Sequence, residues 1–125
     1  MSSFDFDKIS TGTDIESVSR FENKTLETDR DFLDRIFTSP ELDYCFSSSK
    51  PAQRLCARFC AKEAAVKALT AFGITDVYYS DIEITKEPSG MPVIKIKKHP
   101  EISAKVTLSH TKDYASANVI MYNRN

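Results

Sequence analysis

The sequence predicts an α+β fold, with helices gathered early in the chain and strands gathered late. Three observations carry this. Apolar residues recur at helical spacing between residues 29 and 72. After Gly73 the pattern switches to period two, and a turn signal at Pro88-Ser89-Gly90 folds the first alternating run back on itself.

The run "KISTGTDIESV" (8–18) reads as a short strand that passes through Gly12 into a polar segment. "DRDFLDRIF" (29–37) has Phe32, Leu33, Ile36 and Phe37 on one helical face, which predicts a short amphipathic helix. Ser39 followed by Pro40 is N-cap and first-turn order, so a second short helix is expected to begin there. Pro51 opens a long helix that runs to about Phe72, with Gly73 as its stop. On a wheel of 100° per residue, Leu55, Phe59, Val66 and Leu69 fall within about 80°, which defines a buried stripe.

The period-two region then gives a hairpin through Ile82 and Ile84, returning through Val93, Ile94 and Ile96. A second pair of strands carries Val106 and Leu108 in one and Ala115, Ala117, Val119 and Met121 on one face of the other, with "SHTKD" between them.

At 125 residues, with 41% hydrophobic and 28% charged residues, the chain is expected to form one domain over residues 1–125. A formal net charge of −1 argues against a protein built to neutralise nucleic-acid phosphates. No apolar run is long enough for a bilayer or a secretory leader, so the expectation is a cytoplasmic protein with no membrane partner. Three cysteines do not suit a disulfide framework, and although Cys56 and Cys60 stand four apart, nothing nearby completes a zinc site, so all three are expected as reduced core residues.

The residues able to carry chemistry each admit an ordinary explanation. Glu63 and Lys67 are spaced as a surface ion pair worth about 0.2–0.5 kcal/mol. Lys62 lies inside the apolar arc, where it must snorkel or meet a compensating partner, and this hints at an anionic ligand. Asp14 after "TGT" reads as a turn or cap residue, with Gly12 allowing the backbone to approach something closely. His110 reads as a hydrogen-bonding loop histidine. Taken together, Asp14 and Glu63 with Lys67, His110 and Arg58 suit a magnesium-bound phosphate ester, because Mg²⁺ takes one or two protein carboxylates and fills its shell with water and phosphate oxygens.

In order along the chain, "GTDIESVSR", "FLDRIFTSPELDYC", "RFCAKEAAVKAL", "SGMP" and "LSHTKDYASANV" resemble the 4′-phosphopantetheinyl transferase superfamily, and within it the holo-acyl-carrier-protein synthases. The likeness runs from about Ile9 to Tyr122. The chain's length and Met1 start resemble the stand-alone, single-repeat members.

The resemblance implies one long helix packed with shorter helices against an antiparallel sheet. It also implies Mg²⁺-dependent transfer of phosphopantetheine from coenzyme A to a serine of apo acyl carrier protein, in support of fatty acid biosynthesis. Asp14 and Glu63 match the metal ligands, for Mg²⁺ or Mn²⁺ in its place, and with Lys67 they match the catalytic set. Arg58, Lys62, Lys67, Gly90, Pro92, Ser109, His110 and Thr111 match positions that contact coenzyme A, and Arg20 matches a carrier-docking residue. The serine's proton would pass to Glu63 or, through a metal-activated water, to a carboxylate. Members of this kind are homotrimers with sites between subunits.

Two departures stand out: Met91 where a basic residue often occurs, and the acidic "FENKTLETDRD" after Arg20. The alternative from another class is a non-catalytic coenzyme A or nucleotide-binding module.

Overall fold

The computed structural model describes residues 4–125, so Met1 to Ser3 of the expected domain lie outside the described residues. The elements are β1 (Ile9–Ser17), α1 (Arg30–Ile36), α2 (Ser39–Phe46), α3 (Pro51–Thr70), β2 (Ile82–Lys86), β3 (Pro92–Ile96), β4 (Ile102–His110) and β5 (Tyr114–Asn123). Short 3₁₀ turns cover Phe6–Lys8, Val18–Phe21 and Tyr79–Asp81. The α+β class expected from the sequence is the one observed.

The strands form two antiparallel sheets, one in the order β1-β5-β4 and the other the β2–β3 hairpin. Central β5 pairs with β1 from Ile9 opposite Tyr122 to Ser17 opposite Tyr114, and with β4 from Ile102 opposite Asn123 to His110 opposite Ala115. Alternation along β5 turns Ala115, Ala117, Val119 and Met121 inward, and all four are buried. Its other face, with Ile120 and Tyr122, stays open.

Helix α3 crosses the inner face over β1 and β5. Alanines 57, 61, 64, 65 and 68 are all buried, and their small side chains let the helix sit low on the sheet. At Gly12 the approach leaves no room for a side chain, since a Cβ there would lie 1.8 Å from the Ala64 carbonyl oxygen. The backbone approach expected at Gly12 is therefore an approach to α3 itself. Gly12→Ala is expected to push α3 off β1 and destabilise the fold by about 1–3 kcal/mol, read as a lower urea midpoint. An unchanged midpoint would contradict this packing.

Three local expectations are corrected. The N-cap of α2 is Thr38 rather than Ser39, because Thr38 and Glu41 form a reciprocal capping box: the Thr38 amide donates to Glu41 Oε1 at 2.8 Å and the Glu41 amide to Thr38 Oγ1 at 3.4 Å. Val66 is only partly buried, while the buried surface of α3 widens to an unbroken run from Leu55 to Lys62. Within the period-two region after Gly73, Tyr79 sits in a 3₁₀ turn rather than in a strand. Gly73, in the left-handed region at φ 75°, follows the end of α3 as expected.

Cys45, Cys56 and Cys60 are free and buried. Burial pushes the Cys45 thiol up to about 12 and the Cys56 thiol up to about 11, so both stay protonated. Among the described residues no helix is long and apolar enough to cross a membrane.

Candidate functional site

The low seat of α3 brings its polar flank to β1. Asp14 lies two residues after Gly12 and so shares the face of β1 that meets the helix. Its carboxylate is held from two sides: Lys67 Nζ lies 3.2 Å from Oδ1, and Cys60 Sγ donates to Oδ2 at 3.5 Å. Lys67 also donates to the Thr13 carbonyl at 2.8 Å. The predicted surface pair between Glu63 and Lys67 is replaced by partners from elsewhere in the fold. Glu63 accepts a hydrogen bond from the Tyr79 hydroxyl at 2.5 Å, and Lys67 turns to Asp14.

Glu16, on the same face of β1 as Asp14, adds a third carboxylate. Burial and the neighbouring Asp14 raise its pKa above the ordinary glutamate range, and an ion pair with Arg20 at 2.8 Å works against the rise. The Arg20 guanidinium also lies 4.7 Å from the centre of the Phe59 ring. Burial and the Glu63 carboxylate push the Tyr79 phenol up to about 12, so it remains a donor. Burial, and then Asp14, push the Cys60 thiol up as well, which keeps it a thiol rather than a soft thiolate ligand. The donors on offer are therefore carboxylate oxygens.

A second group of predicted residues lines a cleft of about 610 Å³ between α2, α3, the β2–β3 hairpin and β4. Arg58, Gly90, Pro92 and His110 all border it, and Lys50, Arg54 and Lys86 add positive charge. Tyr44 anchors the cluster, with the guanidinium carbons of Arg58 and Arg54 at 3.9 and 4.1 Å from its ring centre. Burial raises the Tyr44 phenol, but Lys86 and the two arginines outweigh it and leave its pKa below the usual tyrosine range. Arg58 is 5% exposed, and its Nε has no hydrogen-bond partner among the described residues. A buried guanidinium with an unpaired donor beside a basic cleft is suited to an anion.

Ser109 and Thr111 flank His110 but do not line the cleft; Thr111 instead accepts hydrogen bonds from the Asp113 and Tyr114 amides in the turn. Exposed Met91, the departure noted in the sequence, stands at the cleft between Gly90 and Pro92.

Lys62 requires a correction. Its ammonium is fully buried, 2.8 Å from Glu41 Oε1, and it donates to the carbonyls of Tyr79 and Ile82. All three of its protons are thus used inside the protein, and none is left for coenzyme A. The compensating partner suggested by its place in the apolar arc is Glu41, not a ligand. Burial pulls its pKa below the usual lysine range, against the pull of Glu41.

The structure therefore divides the predicted residues into two groups. Asp14 and Lys67 meet on the β1–α3 seam, with Glu63 one helical turn before Lys67 and bonded to Tyr79, and none of the three lines the basic cleft that holds Arg58 and His110. Sequence reasoning missed Glu16, Tyr79, Tyr44, Arg54 and Lys86. Of these, Arg54 alone carried a usable signal, since it stands one helical turn before Arg58.

Comparison with known proteins gives a consistent result. Residues 10–119 match the model of the 4′-phosphopantetheinyl transferase superfamily. The holo-[acyl-carrier-protein] synthase of Koribacter versatilis is 36% identical, over 90% of this chain and 97% of its own length. That of Carboxydothermus hydrogenoformans is 39% identical, over 90% and 97%. Among solved structures, the Helicobacter pylori holo-[acyl-carrier-protein] synthase in complex with coenzyme A superposes with a TM-score of 0.75 at 30% identity, covering 89% of this chain and 98% of that one. A Bacillus anthracis holo-(acyl-carrier-protein) synthase in complex with CoA (3′,5′-ADP) gives 0.74 at 28% identity, over 91% and 96%.

Proposed function

This chain belongs to the 4′-phosphopantetheinyl transferase superfamily, and we propose from that membership that it moves the 4′-phosphopantetheine arm of coenzyme A onto a serine hydroxyl of apo acyl carrier protein, releasing adenosine 3′,5′-bisphosphate. One observation carries the reading at this chain's own residues. Lys67 is drawn away from its helical neighbour Glu63 to Asp14, which leaves two carboxylates and an ammonium on one seam between strand and helix.

The donor set fits magnesium. It consists of hard carboxylate oxygens, and among the described residues no group of three or more His, Cys, Asp or Glu is arranged to hold a metal alone. An ion with few protein ligands that completes its shell with water and substrate phosphate matches that supply. Asp14 and Glu63 are the residues to hold Mg²⁺, or Mn²⁺ in its place. When bound, it supplies electrostatic stabilisation of negative charge on the pyrophosphate.

Lys67 stabilises charge on the departing bisphosphate, and Arg58 and His110 bind the nucleotide's phosphates in the basic cleft with Gly90 and Pro92 alongside. Ser109 and Thr111 hold the strand end and turn that carry His110. The serine oxygen forms its bond to phosphorus as the bond from phosphorus to the bridging oxygen breaks. The serine proton passes to a carboxylate, with Glu63 the nearest in role. Arg20 contributes to docking of the acidic carrier, with Glu16 fixing its guanidinium.

Residues 1–125 act as one domain, and three copies assemble in the cytoplasm. Two features support a trimer with sites between subunits. The carboxylate seam and the basic cleft are separate within one chain, so a neighbour can complete each site. The outer face of the three-stranded sheet exposes Ile15 (65%), Ile120 (49%), Tyr114 and Tyr122, apolar side chains that a neighbouring copy could cover.

The test is to incubate the protein with apo acyl carrier protein, coenzyme A and Mg²⁺ and weigh the carrier by mass spectrometry. A gain of one phosphopantetheine is expected, and no gain on carriers of fatty acid synthesis or any other carrier sinks the proposal. Sedimentation equilibrium is expected to return the mass of three chains.

A further inference from the structure

We infer that Tyr79 is a positioning residue for Glu63 and that the buried Lys62–Glu41 pair holds Tyr79 in place; this rests on the reading of Glu63 as a working carboxylate. Tyr79 is fixed at three points. Its hydroxyl donates to Glu63 Oε1 at 2.5 Å. Its ring lies 5.6 Å from that of Phe59, centre to centre. Its main-chain carbonyl accepts from Lys62 Nζ at 2.8 Å.

Lys62 is itself immobile, because it is fully buried and anchored to Glu41, whose other carboxylate oxygen accepts from the Ile84 amide at 2.8 Å. Lys62 and Glu63 are adjacent on α3 but point in different directions, one into the core and one to the seam. Both end on Tyr79, which reaches them from the 3₁₀ turn before β2.

A glutamate on a helix flank has several rotamers to choose from, and a carboxylate asked to meet a phosphate-bound ion or a serine proton works best in one. The Tyr79 hydroxyl occupies Oε1 and leaves Oε2 to take another partner. Partners of this kind, one step behind a ligand, are worth about 10–100-fold in metal affinity or activity.

The full chain with Tyr79→Phe keeps the ring packing and removes only the hydroxyl. Three quantities are read: free Mn²⁺ by electron paramagnetic resonance in the presence of coenzyme A, steady-state kinetics on apo carrier protein, and the thermal midpoint. The expected result is a Mn²⁺ dissociation constant raised about 10–100-fold and kcat lowered by a similar factor. KM for coenzyme A should be unchanged and the fold intact. Wild-type Mn²⁺ affinity and kcat, or a lower thermal midpoint as the sole change, overturns the inference, because a packing role alone predicts that pattern.

Glu63→Gln serves as the reference. If it is impaired while Tyr79→Phe is not, the positioning role alone falls. If Glu63→Gln itself binds Mn²⁺ and turns over like the wild type, the reading of Glu63 is wrong and the role of Tyr79 falls with it.

Discussion

Asp14→Ala and Glu63→Ala are each expected to lower turnover about a thousandfold, since stabilisation of the transferring phosphoryl group is worth several kcal/mol and each 1.4 kcal/mol is a factor of ten. Both side chains lie on the seam between β1 and α3, outside the hydrophobic core, so the thermal midpoint should move little. Asp14→Asn adds a check whose sign can be worked out. Glu16 has a raised folded pKa, caused first by burial and then by Asp14. A carboxyl raised in this way costs stability as pH rises from its unfolded pKa through its folded one. Neutralising Asp14 removes part of the rise, so the loss of stability over that window should shrink even as activity disappears. Loss of function without loss of stability is the pattern of a site whose charges are gathered for use rather than for folding. Full activity in both alanine variants would refute the two-carboxylate site.

Much of the fold was legible because local signals agreed with tertiary ones. Pro51 and Gly73 bracket α3, and period-two runs mark both hairpins. The third strand of the main sheet was legible only as a strand. Its pairing with β5, from the opposite end of the chain, depends on a long-range register that no local pattern encodes.

At the candidate site, spacing placed Glu63 and Lys67 on one helix flank but could not give their partners. Glu63 and Lys67 stand in ion-pair order, yet their contacts come from Tyr79 and Asp14, which the wheel cannot see. The Thr38-x-x-Glu41 capping box is legible in the sequence, but the neighbouring Ser39-Pro40 signal competes with it. Gly12 was read correctly as a close approach, but what approaches is a helix backbone. The family resemblance supplied Asp14 as a ligand where composition and spacing favoured a turn.

Lys62→Met is expected to destabilise the protein by about 3–5 kcal/mol, a large part of the 5–15 kcal/mol that holds a domain of this size together. The reason is what it leaves behind. Glu41 is 1% exposed and keeps its hydrogen bonds from the Thr38 and Ile84 amides, but its negative charge would have no cation beside it. The carbonyls of Tyr79 and Ile82 would lose their donor in the same step. The double variant Glu41→Gln with Lys62→Met removes the stranded charge, so it should be less destabilised than the two single losses added together. It should not return to wild type, since a glutamine amide cannot accept from both the Thr38 and Ile84 amides as a carboxylate does. Urea midpoints of the four proteins decide the matter. A Lys62→Met midpoint equal to the wild type would mean that the pair is dispensable, and that the lysine inside the apolar arc has some use other than joining α2, α3 and the turn that carries Tyr79.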